Sequence, residues 1–442
     1  MSRDLLDLIS GERAGEISSS VEALIETGRV PPGRALPPVR ELARQLRVSP
    51  TTVAAAYRDL QLRGLVTASG RRGTRVAPRS PRLRGAPILV PEGSRDLTQG
   101  NPDVDLLPDL SRALESLRPR QHLYGEPSHN EALLRLAAAD LAGDGVPPDF
   151  LLVVGGALDG VERTLVARLR PGDRVAVEDP GYPPIQDLLL TLGLVPEPLP
   201  VDDRGYMPDA LEAALRRPLA AIICTPRAQN PVGAAMDEER ALQLRRLLDI
   251  REDVLVVEDD HAGPVAGTPL ASLCSTPRER WAFVRSVSKS LGPDLRLAVM
   301  AGDAQTIARV EARQQLGAGW VSHLLQSLVV TLWTDTEVGR LLRRAAQAYT
   351  ERRSALIESL AELGVTAHGR SGFNVWIPVP DEQAAARRLL DAGWAVAAGE
   401  RFRHNTPPAV RVSVGSLLPE EAPLVARALA QPGERTTRTR SA

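Results

Sequence analysis

Cysteine, lysine and long apolar runs are scarce in this 442-residue chain. Two cysteines, Cys224 and Cys274, are too few for a disulfide framework or a four-cysteine zinc site. A reducing cytoplasm is the compartment this predicts. No apolar stretch approaches the ~18 residues of a membrane span, and no secretory leader pattern opens the chain, so no membrane partner is expected. Of the 54 basic residues, one is a lysine, Lys289. Arginine can replace lysine on a solvated surface, but its pKa is too high for it to act as a free amine. A lone lysine therefore points to amine chemistry such as Schiff-base formation.

The length exceeds the ~250–300 residues at which a single core stops growing, so at least two domains are expected. A hydrophobic content of 43% with 25% charged residues excludes a largely disordered chain. The net charge of -1 hides an asymmetry: residues 1–84 carry 15 arginines against 8 acids, a net of +7, and the remainder carries -8. A basic head on an acidic body points to a polyanion partner for the head alone.

Within the head, Ile17, Val21, Leu24 and Ile25 recur at helical spacing over 14–28, and Val30-Pro31-Pro32-Gly33 ends that helix. Val39, Leu42, Ala43 and Leu46 mark a second helix. After the short turn Arg47-Val48-Ser49, Ser49 caps a third, with Pro50 at its first position and Val53, Tyr57 and Leu60 as its buried stripe. Leu65-Val66-Thr67 pairs with Arg75-Val76 in a hairpin tipped by Arg71 and Arg72. This order predicts a winged helix-turn-helix over residues 1–77. Its third helix enters the major groove of double-stranded DNA, and Arg71 and Arg72 reach phosphate or minor groove.

Leu36-Pro37-Pro38-Val39-Arg40-Glu41-Leu42-Ala43, then Val48-Ser49, Thr52-Val53, Ala56-Tyr57 and Leu60, resemble the DNA-binding domain of the GntR family over residues 14–77. The resemblance implies Arg40, Ser49, Thr51, Thr52, Tyr57 and Gly73 as operator contacts. Pro50 stands where the family often has arginine, so one contact is either lost or moved to Arg47. Residues 78–96 are proline-rich and basic, the composition of a semi-stiff linker, and 432–442 is expected to be a disordered tail.

In residues 97–431, short apolar runs at 151–154, 175–177, 220–224, 254–258, 283–287 and 297–301 alternate with helical stretches such as 158–170 and 237–249. An α/β domain with a mainly parallel sheet follows, with ligands at the carboxyl ends of its strands. Those ends carry Gly155-Gly156-Ala157, then Asp179-Pro180-Gly181-Tyr182, then Gln229-Asn230-Pro231, then Glu258-Asp259-Asp260-His261, and finally Ser286-Val287-Ser288-Lys289 followed by Arg296. Together they supply an amine, an acid, a ring stacker, phenolate donors and a phosphate cradle. Pyridoxal phosphate (PLP) needs that set.

Order and spacing resemble the fold-type-I aminotransferases over residues 97–430. With a GntR-like head, the chain resembles the MocR subfamily of bacterial regulators. The resemblance implies that Lys289 forms the Schiff base, Asp259 pairs with the pyridine nitrogen, Asn230 bonds the phenolate and Tyr182 stacks on the ring. It gives the phosphate to Ser286, Arg296 and the backbone around Gly156 and Ala157, with Tyr124 reaching the phosphate of a partner subunit. Arg411, in Val410-Arg411-Val412-Ser413, resembles the arginine that grips a substrate carboxylate. His261 replaces the usual tyrosine, so a proton labile near neutral pH is expected beside the phenolate. Gly155 replaces a hydroxyl residue, which removes one phosphate bond.

The combined expectation is a homodimeric, head-to-tail, PLP-dependent transcription regulator that senses PLP or an amino acid through Lys289. The alternative is an aminotransferase with an appended DNA-binding domain.

Overall fold

The computed structural model describes residues 3–6, 8–26, 29–31, 33–62, 65–68, 73–76, 88, 90–118, 120–275 and 278–430. Arg71, Arg72, most of the expected linker and the 432–442 tail lie outside the described residues. Two units form, one built mainly on residues before 77 and one on those after 87.

In the first unit, α1 (Ala14–Glu26), α2 (Val39–Leu46) and α3 (Pro50–Leu62) precede an antiparallel hairpin of β1 (Val66–Ala68) and β2 (Thr74–Val76). A period of 3.6 residues returns Ile17, Val21, Leu24 and Ile25 to one face of α1, and all four are buried. They share a core with Leu42, Ala43, Val53, Tyr57, Leu60, Val66 and Val76. Arg47 ends α2 in the left-handed region (φ 55°), and its backbone N–H reaches the carbonyls of Ala43 and Arg44. Ser49 Oγ then accepts the Thr52 backbone N–H at 3.1 Å, capping α3.

The second unit is organised on an eight-stranded sheet. Its strands are β3 (Leu151–Val154), β4 (Arg174–Asp179), β5 (Val195–Asp202), β6 (Gly205–Tyr206), β7 (Ala221–Cys224), β8 (Leu255–Asp260), β9 (Trp281–Ser286) and β10 (Ala298–Gly302). Their order is β3-β10-β9-β8-β7-β4-β5-β6. The central run β4-β7-β8-β9 is parallel, and β10 runs antiparallel to both its neighbours. Helix cover makes β7, β8 and β9 buried throughout, which is why they read as short apolar runs. After β3, α4 (Ala157–Arg168) packs against the sheet, where a Cβ on Gly160 would lie 3.1 Å from Val284.

Toward the C-terminus, α5 (Thr336–Glu362) leads to a small antiparallel sheet of β11 (Asn374–Pro378), β12 (Ala397–Ala398) and β13 (Ala409–Ser413), in the order β11-β13-β12. Leu97, Tyr349, Phe373, Val375, Ile377, Val410 and Val412 form its core. No helix among the described residues is long and apolar enough to cross a membrane.

Ser49→Ala removes the cap of α3. It should lower the stability of the head by about 1 kcal/mol, read as faster amide exchange across 50–62 with no change across 281–286.

Candidate functional site

Strand β8 ends on three consecutive acids, and the pleat sends them to alternate faces. Asp260 is gripped by Arg227 (2.9 and 3.0 Å) and Arg285 (2.9 Å). Burial opposes its charge, but the two guanidinium groups overcome this and hold its carboxyl down at about 2. Glu258 accepts from Ser272 Oγ and from the Leu273 backbone at 2.8 Å. Asp259, on the other face, is buried, and its Oδ1 has no hydrogen-bond partner among the described residues. Burial first, then the charges of Asp260 and Glu178, push it up to about 7 against the pull of Lys289.

Lys289 follows β9 by three residues. Its Nζ donates to the Gly100 carbonyl at 2.6 Å and sits 5.9 Å from the Phe373 ring centroid. Burial, with Arg411 and Arg296 nearby, brings its pKa down to about 8, against the pull of Asp259. His261 feels the same surroundings: burial and Lys289 lower it to about 4 despite Asp260. The expected proton labile near neutral pH is therefore absent, because a cation beside a desolvated imidazole keeps it neutral.

At the end of β3, Gly156 (φ +112°) turns the chain into α4, whose first residue is Ala157. Arg296 (φ 42°) crosses in front, donating to the Gly155 carbonyl at 3.3 Å. A Cβ on Gly156 would lie 2.7 Å from Arg296 Nη2, so only glycine fits both the turn and the approach. A helix N-terminus faced by an arginine is an anion cradle. Ser286 Oγ, at the end of β9, accepts the Ser288 backbone N–H at 3.1 Å.

Arg411 lies on β13, the middle strand of the small sheet, opposite Trp376 and Ala397. Its Nη1 donates to Asn230 Oδ1 at 2.9 Å and its Nη2 to the Thr98 carbonyl, while its guanidinium sits 4.7 Å from the Phe402 centroid. Tyr182 stands on the turn after β4. Asp179 accepts the backbone N–H of His404 (2.8 Å) and Asn405 (2.7 Å), and Gly181 donates to Phe402 O at 2.8 Å, which fixes that turn. Burial and Asp259 raise the Tyr182 hydroxyl, with Arg411 and Arg296 opposing, so these side chains share one electrostatic site.

Lys289, Asp259, His261, Tyr182, Arg296, Gly156, Ala157, Asn230 and Arg411 are thus brought together, with Ser286 on the adjoining strand end. Tyr124 is the exception. It is 93% exposed, and its ring meets Trp320 edge-on at 5.5 Å. In the head, Arg40, Ser49, Thr51 and Gly73 are exposed and Thr52 is half-buried. Tyr57 departs from the expected DNA contact: its side chain is 5% exposed and its hydroxyl donates to Pro37 O at 2.9 Å, so it is a core residue of the head. Sequence reasoning also missed the carbonyls of Thr98 and Gly100, which no side-chain pattern marks, and the Arg227–Asp260–Arg285 cluster. Two arginines in otherwise apolar buried segments were the available signal for the latter.

The family model for aminotransferase class I and II matches residues 94–429, and that for bacterial regulatory proteins of the gntR family matches residues 13–76. The chain is 38% identical to the vitamin B6 salvage pathway transcriptional repressor PtsJ of Salmonella typhimurium, over 93% of this chain and 96% of that one. It is 30% identical to the HTH-type transcriptional regulator TauR of Rhodobacter capsulatus, over 92% and 94%. An archaeal alanine:glyoxylate aminotransferase has the same fold as the body, with a TM-score of 0.70 at 22% identity, over 76% of this chain and 90% of that one.

Because only the neutral amine attacks an aldehyde, Lys289 should react faster as pH rises, with a midpoint near 8 instead of the ordinary 10.5. Stopped-flow absorbance with PLP over roughly pH 6–9 measures this. A rate still climbing steeply at the top of that range would mean the amine is unperturbed.

Proposed function

The chain belongs to the MocR-type gntR regulators, a winged helix-turn-helix head on an aminotransferase class I and II body, and from that premise we propose that the body senses PLP, or an amino compound reacting with it, through Lys289. GntR-type heads bind DNA, and the aminotransferase family uses PLP. The observation that carries the proposal is Asp259 Oδ1, a buried carboxylate oxygen with no hydrogen-bond partner among the described residues. A protonated pyridine nitrogen is the partner it lacks, and the N-terminus of α4 at Gly156, faced by the Arg296 guanidinium, offers the backbone N–H groups and positive charge that a phosphate takes.

When bound, PLP supplies an aldehyde and an electron-poor ring. The chain supplies the rest. Lys289 presents an amine that burial keeps partly neutral at cytoplasmic pH. Asp259, held up at about 7 by burial against the pull of Lys289, ionises once the pyridinium cation sits beside it. Ser286, Arg296 and the backbone N–H groups at Gly156 and Ala157 hold the phosphate. Asn230 and neutral His261 hydrogen-bond the phenolate, and Tyr182 covers the ring. Arg411 takes the carboxylate of an amino-acid effector. Tyr124, free of these groups in its own chain, reaches the phosphate of a partner subunit in a homodimer, arranged head-to-tail.

Each head of that dimer reads one half-site of an operator through Arg40, Ser49, Thr51, Thr52, Gly73, Arg71 and Arg72. Such a protein works in the cytoplasm, where the operator is. The printed name of PtsJ ties that relative to vitamin B6 salvage, which supports PLP itself as one effector here.

A PLP titration of wild type should produce a long-wavelength absorption band that Lys289→Arg lacks. Asp259→Ala should weaken PLP binding at least about tenfold, since the group it would pair is charged; unchanged affinity would remove its pyridine role. Arg40→Ala should weaken operator binding in a gel-shift assay and leave the PLP titration as it was.

A further inference from the structure

The two cations of the site are both engaged by one short piece of main chain. Lys289 Nζ donates to Gly100 O at 2.6 Å, and Arg411 Nη2 donates to Thr98 O. Neither carbonyl accepts a backbone N–H among the described residues. On either side the chain is tied down independently. Leu97 N donates to Ala395 O and Leu97 O accepts from Ser413 N, each at 2.9 Å. Beyond, Asp103 N donates to the Tyr349 hydroxyl at 3.0 Å, and Arg352 pairs with the Asp103 carboxylate at 2.8 Å. Residues 98–100 therefore form a strap that is anchored at both ends and held in the middle by the two side chains a ligand would engage.

We propose that Thr98–Gly100 is an internal reporter of the site: its Gly100 end lets go when Lys289 bonds to the cofactor, and its Thr98 end when Arg411 takes a carboxylate. This rests on the cofactor reading above. Lys289 Nζ gives one proton to solvent and forms a C=N bond to the aldehyde carbon. The aldehyde oxygen leaves as water with the two remaining amine protons, and no ammonium is left for Gly100. An amino compound that displaces Lys289 enters as its ammonium, takes over the C=N bond and passes its three protons to Nζ, which is again an ammonium, so the Gly100 end can close again. If that compound carries a carboxylate, Arg411 turns to it and the Thr98 end opens instead. The strap thus distinguishes cofactor alone from cofactor with an amino acid. A primary amine without a carboxylate does not open the Thr98 end. The strap also lies two residues after Arg95–Asp96, the stretch by which the chain enters this unit from the direction of the head.

Carbonyl 13C NMR on the full-length protein, with glycine and threonine labelled at the carbonyl carbon, tests this. A carbonyl carbon moves downfield when its oxygen accepts a hydrogen bond, and more so from a charged donor. PLP alone should move the Gly100 carbonyl upfield and leave that of Thr98 unchanged. PLP with a mixture of glycine, β-alanine and 4-aminobutyrate should move Thr98 upfield; PLP with propylamine should not. Without any ligand, Lys289→Met should move Gly100, and Arg411→Met should move Thr98, with amide exchange across 281–286 as the folding control. If the long-wavelength band appears but neither carbonyl responds, the strap proposal falls and the cofactor reading stands. If no band appears, the cofactor reading falls and takes the ligand-driven release with it. The two Met variants still read the strap directly, and unchanged carbonyl shifts in both would overturn its attachment to Lys289 and Arg411.

Discussion

Asp259 is buried at the end of a central parallel strand, and one of its carboxylate oxygens has no hydrogen-bond partner among the described residues. An ionised carboxylate without partners is costly away from water, and here the group responds by holding its proton up to about pH 7. The displacement from 3.8 amounts to roughly 4 kcal/mol against the charged form. Such a cost persists only where the surrounding fold over-determines the residue's position. The rest of the body supplies that over-determination. Neighbouring strands bury β8 on both sides, and the two flanking acids are fully occupied elsewhere.

Those flanking acids show how differently the same chemistry behaves one residue apart. Asp260 is compensated twice, by Arg227 and Arg285, and Arg285 in turn pairs with Asp140 and Asp144 at 2.6 Å each. A buried ion pair of this kind adds little net stability, yet breaking it is costly, so it fixes the register of β8 against β9. Glu178 does a similar job at the neighbouring strand end. It accepts from Thr225 and Gln229, and Gln229 also donates to Pro180 O at 2.9 Å. The turn carrying Tyr182 and the turn carrying Asn230 are thereby joined, although 48 positions separate the two residues in sequence. What remains uncompensated in the site is Asp259, together with a lysine amine that burial keeps partly neutral.

Much of this was legible in the chain itself. In the head, each helix carried both its apolar stripe and its stop signal, so the three helices and the hairpin could be placed from local chemistry. In the body, β3, β4, β7, β8, β9 and β10 were visible because burial on both faces demands unbroken apolar runs, whereas the partly exposed β5 and the two-residue β6 were not. The antiparallel run of β10 was not visible, since an apolar run carries no direction. The small sheet around Arg411 escaped as well. Its strands are two to five residues long, and Val410-Arg411-Val412 alternates too briefly to stand out. For Tyr57 the apolar stripe was right to place it in the core, and only the operator contact implied by the family resemblance failed. A tyrosine on a recognition helix can face DNA or the core, and the nearby Pro37 carbonyl decides for the core.

By itself, the sequence determined that one amine is available, that acids, glycines and arginines gather at strand ends, and that a basic helical head precedes an acidic α/β body. These follow from residue type and spacing, which are local. Only the tertiary structure decided which of three adjacent acids stays unpaired, that His261 is neutral, and that the two cations of the site rest on one strap of backbone. Those outcomes depend on desolvation and on partners as much as 313 residues apart, as with Arg411 and Thr98. Burial and long-range pairing arise only once the chain has folded.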